Sequence, residues 1–244
     1  MLLSLNPVTS VIGIGLNAYH NETKHQELEE DISVLRSRIE ELESFREDIL
    51  NSVEVSLAKM GAKVRFPEMD VVYPLSQSVV LNGVEEVFKK MYVNLFVNAS
   101  SEDASKFVHP SFANIINQMT VDEVKLMESF ENSPSRAWPV INIIDRGATL
   151  LTNYTDYGSG LLSEKNNICA YIDNLCRLNL IFIEAGVWLA DESQYEPLIN
   201  GKKYNEIIRE HIYKHTVLSF EKHAIRLTNL GRMFKKACFN QEEV

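Results

Sequence analysis

From Leu28 to Val53 apolar residues recur in alternating steps of four and three: Leu28, Ile32, Leu35, Ile39, Leu42, Ile49 and Val53, with Arg46 the one polar member of the row. This 3.5-residue average is the coiled-coil period, and the Glu-rich flanks read as faces turned to water. A helix so long and so polar outside its seam is not stable alone, because its stability must come from packing that one stripe. The partner is either a helix of its own globular part or a second copy. One polar seam position tends to fix register or oligomer state at some cost in stability. The spacing therefore predicts a helical oligomerisation stalk within residues 1–61, with homo-oligomers as the expected state.

Gly61 is a C-cap residue, and two prolines follow at Pro67 and Pro74. Residues before proline avoid the α region, so 62–81 is expected to be an extended linker, with a globular body over 82–244. Ahead of the seam, Leu2 to Tyr19 carries no charged side chain, and the first Lys or Arg is Lys24. The segment lacks the basic start of a signal peptide, and Asn6, Pro7 and Asn17 leave it short of the about 20 apolar residues that a membrane span needs. A helix buried in an assembly is the expected use of residues 2–19, with membrane contact the alternative.

The net charge of −10 argues against a general affinity for nucleic acid or anionic membranes. The average hides a gradient. Residues 1–60 carry five cationic and eleven anionic side chains, 61–200 ten and eighteen, and 201–240 nine and three. Only the last stretch has the sign for an acidic partner, and Arg232, Lys235 and Lys236 on its final helix are the expected surface. The three cysteines suit a reducing cytosol. Cys169 and Cys176, seven apart on a helix, lie about 10 Å apart, too far for a disulfide.

Along the body, apolar spacing predicts a helix from about Asn82 to Ala99 and a short helix opened by HPSF at His109–Phe112. Thr120 with Glu123 forms a capping box for a helix to about Glu131. Strands are expected over 137–144, 180–189 and 217–227. The stretch 145–160, after the first of these, reads as a loop, and helices are expected over 162–178 and 202–214. Thr228 caps a last helix through Cys238. The expected class is α+β, predominantly helical.

The runs VEEVFKKMYVNLFVNA, VHPSFANIINQMTVDEVKLMESF and IRLTNLGRMFKKAC resemble the Abi-alpha family of bacterial proteins, associated with abortive infection, a form of antiphage defence. The similarity covers roughly 64–238. Its specific parts are HPSF, the helix opening T-x-D-E, and the closing L-T-x-x-G-x-x-F-x-x-A-C. The resemblance implies a bacterial defence context, not a reaction. The order of elements near the C-terminus is also similar to winged-helix domains, with 162–178 as recognition helix and 180–189 with 217–227 as wing. Lys165 and Arg177 are offset there by Glu164 and Asp173, so protein contact is the expected use of that lobe rather than DNA.

Candidate chemistry is sparse. Arg209 and His215 in REHIYKH have the spacing seen in the RNases called HEPN, a spacing common enough by chance to carry little alone. His211 and His215 stand four apart on a helix, with His223 or Glu210 as further ligands, but solvated histidines on a basic face explain them as well. His109 reads as a cap at a helix entrance. Gly13 and Gly15 lack the third glycine of a dinucleotide loop, and no GKS or GKT, G-x-S-x-G or HExxH occurs. No cofactor and no metal is expected. The expectation is a cytoplasmic, non-enzymatic component of antiphage defence that oligomerises through the seam and binds a protein partner or phage-derived signal through its body. A toxic RNase and a membrane-acting effector are the alternatives.

Overall fold

The computed structural model describes residues 7–60, 63–81, 85–133, 136–184, 186–212 and 218–239, with side chains there except at 7–28, 38, 76–81, 207–208 and 210–212. The protein is α+β and mostly helical. Helix α1 runs Pro7–Met60, and compactness divides the chain into Met1–Asp48 and Ile49–Val244, so the division falls inside this helix rather than at Gly61. In the first unit the seam side chains Ile32, Leu35 and Ile39 are 41%, 62% and 55% exposed. In the second, Ile49 and Val53 are 6% and 5% exposed and belong to its core.

After the end of α1 the second unit continues in a short stretch paired to the chain near Ser101: Arg65 N–H donates to Ser100 O (2.8 Å) and Glu102 N–H to Lys63 O (3.1 Å). The expected extended linker ends there, because α2 (Met69–Leu81) is a helix with Pro74 inside it. The prolines misled the reading for a tertiary reason. Val71 and Leu75, one turn apart, are buried, and α2 packs against α3 (Glu86–Ala99) and α4 (Phe112–Ile116). That burial offsets the backbone bond that Pro74 cannot donate.

Four helices form the apolar centre of this unit: α3, α4, α5 (Val121–Ser129) and α9 (Asn229–Cys238). Phe112 and Phe234, both fully buried, meet edge to face at 5.2 Å. Asn94 and Asn98, one turn apart on α3, donate to Cys238 O (2.8 Å) and Ala237 O (2.9 Å), supplying partners to carbonyls that the end of α9 leaves open.

Beside them lies an antiparallel sheet in the order β2-β1-β4-β3, from β1 (Trp138–Asp145), β2 (Ala148–Tyr154), β3 (Ile181–Ile183) and β4 (Leu218–Leu227). Strand β1 lies along β4 in unbroken register from Trp138↔Ile225 to Asp145↔Leu218. Alternation turns Trp138, Val140 and Ile225 to one face, where Phe130 stacks on Trp138 at 3.6 Å. The other face carries Phe220, edge to face with Tyr204, and Lys222 over the Tyr195 ring. Tyr195 and Tyr204 flank α7 (Glu196–Asn200) and open α8 (Lys202–Ile212).

Three expectations change here. Strand β2 replaces part of the expected loop, because Arg146 and Gly147 both take positive φ (48° and 83°) and close a two-residue hairpin of the primed type. The expected strand 180–189 is only Ile181–Ile183. The expected helix 162–178 begins at Ile168 as α6 (Ile168–Arg177), after the chain ahead of it has been tied to Asp122.

Candidate functional site

The three motifs quoted above turn out to be structural fastenings. In HPSF, Ser111 N–H donates to His109 Nδ1 (3.1 Å) and the Ser111 hydroxyl lies 2.7 Å from the same nitrogen, so His109 holds the entrance of α4. In T-x-D-E, Thr120 and Glu123 close the capping box reciprocally (Glu123 N–H to Thr120 Oγ1, 3.3 Å; Thr120 N–H to Glu123 Oε2, 2.6 Å). Glu123 Oε1 then accepts from Asn174 of α6 at 2.8 Å.

Asp122 is buried and accepts from the backbone N–H groups of Ser163 (3.0 Å) and Glu164 (2.9 Å) and from Lys125 Nζ (3.1 Å). Burial alone would raise its pKa; the two N–H groups and Lys125 outweigh that and hold it down to about 2. The motif thus latches α5 to α6 and sets where α6 starts. At the other end of α6, Asn179 takes φ 56°, Leu180 N–H reaches Leu175 O (3.0 Å) and Asn179 N–H reaches Cys176 O (2.9 Å). This is a Schellman cap that delivers the chain into β3.

In L-T-x-x-G, Thr228 Oγ1 caps α9 by accepting from Gly231 N–H (2.8 Å), and its N–H donates to Leu180 O (3.0 Å). A Cβ on Gly231 would stand 1.9 Å from that same Leu180 oxygen, so only glycine fits.

The expected acidic-partner surface needs correction. Lys235 is 4% exposed and its Nζ donates to Met127 O and Glu128 O (both 2.8 Å) and to Phe130 O, the open carbonyls at the end of α5. Burial pushes its pKa down to about 8, with Glu128 pulling back. Lys235 is a clasp between α5 and α9. Lys236 is exposed, 4.3 Å from the Phe107 ring centre. Arg232 is half-buried and donates to Leu227 O and Asn229 Oδ1.

Sequence reading missed one concave feature, an open groove of about 480 Å³ lined by Asn142, Asn153, Cys176, Asn179, Ile181, Phe182, Ile183 and His223. It sits where the β1–β2 register slips on either side of Ile143 and Asn153 takes φ 55°. Asn142 Oδ1 accepts from Asn153 N–H (2.9 Å), which turns the Asn142 amide nitrogen toward His223 Nε2 at 3.2 Å. Asn153 Nδ2 donates to Asp173 (2.6 Å). Asn142, Asn153 and Asp173 thus satisfy one another, whereas His223 Nδ1 is buried without a hydrogen-bond partner among the described residues. Burial, reinforced by Asp173, pushes Cys176 up to about 11, so its thiol is protonated at neutral pH and is not a ready nucleophile. Burial likewise raises Cys169 to about 11 and raises Cys238. No Asn pattern in sequence marks this groove, because its residues converge from five elements.

Of the other expected sites, Arg209 is exposed on α8, and His215 lies outside the described residues. Among the described residues no group of three His, Cys, Asp or Glu is placed to hold a metal, and no helix is long and apolar enough to cross a membrane. The seam residue Arg46 is exposed and Leu42 half-buried; the side chain of Leu28 lies outside those described.

No curated protein matches the chain. A solved structure of the uncharacterized protein from the hydrocarbon-degrading marine bacterium Alcanivorax borkumensis SK2 is similar at 18% identity, covering 50% of this chain and 88% of that one, with a TM-score of 0.36. A family model, by contrast, spans nearly the whole sequence, including the caps and clasps described above: residues 19–238 match abortive infection alpha, and the chain belongs to that family.

Proposed function

We propose that this protein acts in abortive infection as a non-enzymatic, cytoplasmic component that self-associates through α1 and meets a protein partner or a phage-derived signal through the second unit. The observation that carries the reading is the exposure of Ile32, Leu35 and Ile39 along one row at coiled-coil spacing. An apolar row left in water over a heptad is a contact surface awaiting a partner. The raised thiols of Cys169 and Cys176 and the hydrogen bonds that tie Asn142, Asn153 and Asp173 to one another support a binding role over a catalytic one. The β3–β4 pair with α5, α6 and α9 supports reading the C-terminal part as winged-helix-like. Its α6 bears Asp173 against Arg177, a balance suited to protein rather than nucleic acid.

Light scattering of the full chain against a variant with Ile32→Glu, Leu35→Glu and Ile39→Glu tests the association. The intact protein is expected at a multiple of 27.9 kDa and the variant at 27.9 kDa. Equal masses would overturn the reading. Substitution is the right instrument, because deleting the helix up to Gly61 would also strip Ile49 and Val53 from the core of the second unit.

A further inference from the structure

We propose that the exposed seam closes on a second copy of itself as a parallel, in-register, two-stranded coiled coil. This rests on the self-association proposed above and adds the partner's identity, number and direction. Within α1 the four-three alternation assigns Ile32, Ile39 and Arg46 to the a positions and Leu28, Leu35 and Leu42 to the d positions. β-Branched residues at a with leucine at d is the combination that favours two parallel strands over three or four.

The flanks give an independent argument. The g positions, one before His25, Ile32, Ile39 and Arg46, hold Lys24, Asp31, Arg38 and Phe45, and the e positions, one after Leu28, Leu35, Leu42 and Ile49, hold Glu29, Arg36, Glu43 and Leu50. In a parallel pair each g faces the e five residues on in the partner. Those steps are Lys24 to Glu29, Asp31 to Arg36 and Arg38 to Glu43, each opposite in sign, and Phe45 to Leu50, both apolar. An antiparallel pair that overlaps the whole seam instead sets Glu29 against Glu43, Arg36 against Arg36 and Arg38 against Arg38, like against like, and leaves Asp31 opposite the uncharged Phe45. Asp31, Arg36 and Glu43 are exposed, as the pairing requires. Arg46 closes the seam at the end where the row becomes core. It too is exposed, so two copies can turn their guanidinium groups outward along the stem while the polar position fixes the register.

The test places Ile32→Cys and Ile39→Cys singly in the full chain, adds a copper–phenanthroline oxidant, and reads covalent dimers on a non-reducing gel. The unsubstituted chain, whose own cysteines are buried or half-buried, runs alongside. Both variants are expected to cross-link well beyond it. An antiparallel pair can bring at most one of the two positions onto its own copy. A scattering mass of two chains with cross-linking at one position or neither therefore overturns the parallel assignment while leaving self-association standing. A mass of one chain at every concentration overturns both. A third arm reverses charge: Asp31→Arg is expected to weaken dimerisation at least tenfold, and Arg36→Asp in the same chain to restore it. Failure to restore counts against the parallel pairing.

Discussion

Ile39 and Ile49 belong to one repeat on one helix, yet the first is 55% exposed and the second 6%. The spacing that makes them equivalent says only that both need cover. For Ile49 the cover comes from residues of the same chain; Ile39 is left more than half in water. The body is therefore a region where a lost side chain is paid in folding stability, and the seam, on the self-association proposed above, a region where it is felt in association.

That contrast can be broken or sharpened by measurement, with unfolding followed by tryptophan fluorescence, since Trp138 and Trp188 both lie in the second unit. The largest losses are expected at body positions that tolerate no change of volume. Gly231→Ala forces a Cβ into the Leu180 carbonyl, and Ile49→Ala leaves a void; each is expected to lower stability by about 3 kcal/mol in urea titrations. Loss below about 1 kcal/mol for Ile49→Ala would mean that the row has the same status along its length.

Asp122→Asn comes next, at about 2 kcal/mol near neutral pH, from a pKa held at about 2 against an ordinary 3.8. Because the folded value is the lower one, the stabilisation is complete above pH 4 and fades as the pH falls toward 2. The variant should come close to the parent at pH 2 and fall behind it as the pH rises from 2 to 4, with a constant gap above that. A gap that stays the same from pH 2 to 4 would show that Asp122 acts by shape and not by charge. The smallest effect is expected for Ile39→Ala, within about 0.5 kcal/mol for unfolding of the body, since the side chain is exposed and alanine favours helix. The same change should shift the midpoint of the mass-against-concentration curve. A body destabilised as much by Ile39→Ala as by Ile49→Ala would erase the contrast.

The division at Asp48 and Ile49 also shows which parts of the sequence reading had a local cause. Thr120 with Glu123 and Thr228 announced helix starts because their partners stand three residues away. Strand β1 was legible as an apolar run and β4 as a strand too, and the closing L-T-x-x-G-x-x-F was legible as a motif. Its reason was not legible, because the oxygen that excludes a side chain at Gly231 belongs to Leu180. The groove was hidden for the same reason: Asn142, Asn153, Asp173, Cys176 and His223 meet only when the sheet and α6 assemble.

By itself, then, the sequence determined the long helix, its period, the capped helix starts and the defence family, since each is written in spacings of a few residues or in motifs read directly. Only the tertiary structure decided that α2 continues through Pro74, that residues 148–154 join the sheet as β2, that Lys235 points inward to the end of α5, and that the seam changes from exposed to buried along its course. Each of these depends on a partner beyond the reach of local spacing, in the case of Lys235 more than a hundred positions away. Periodicity records that a surface must be covered; the folded chain decides by what.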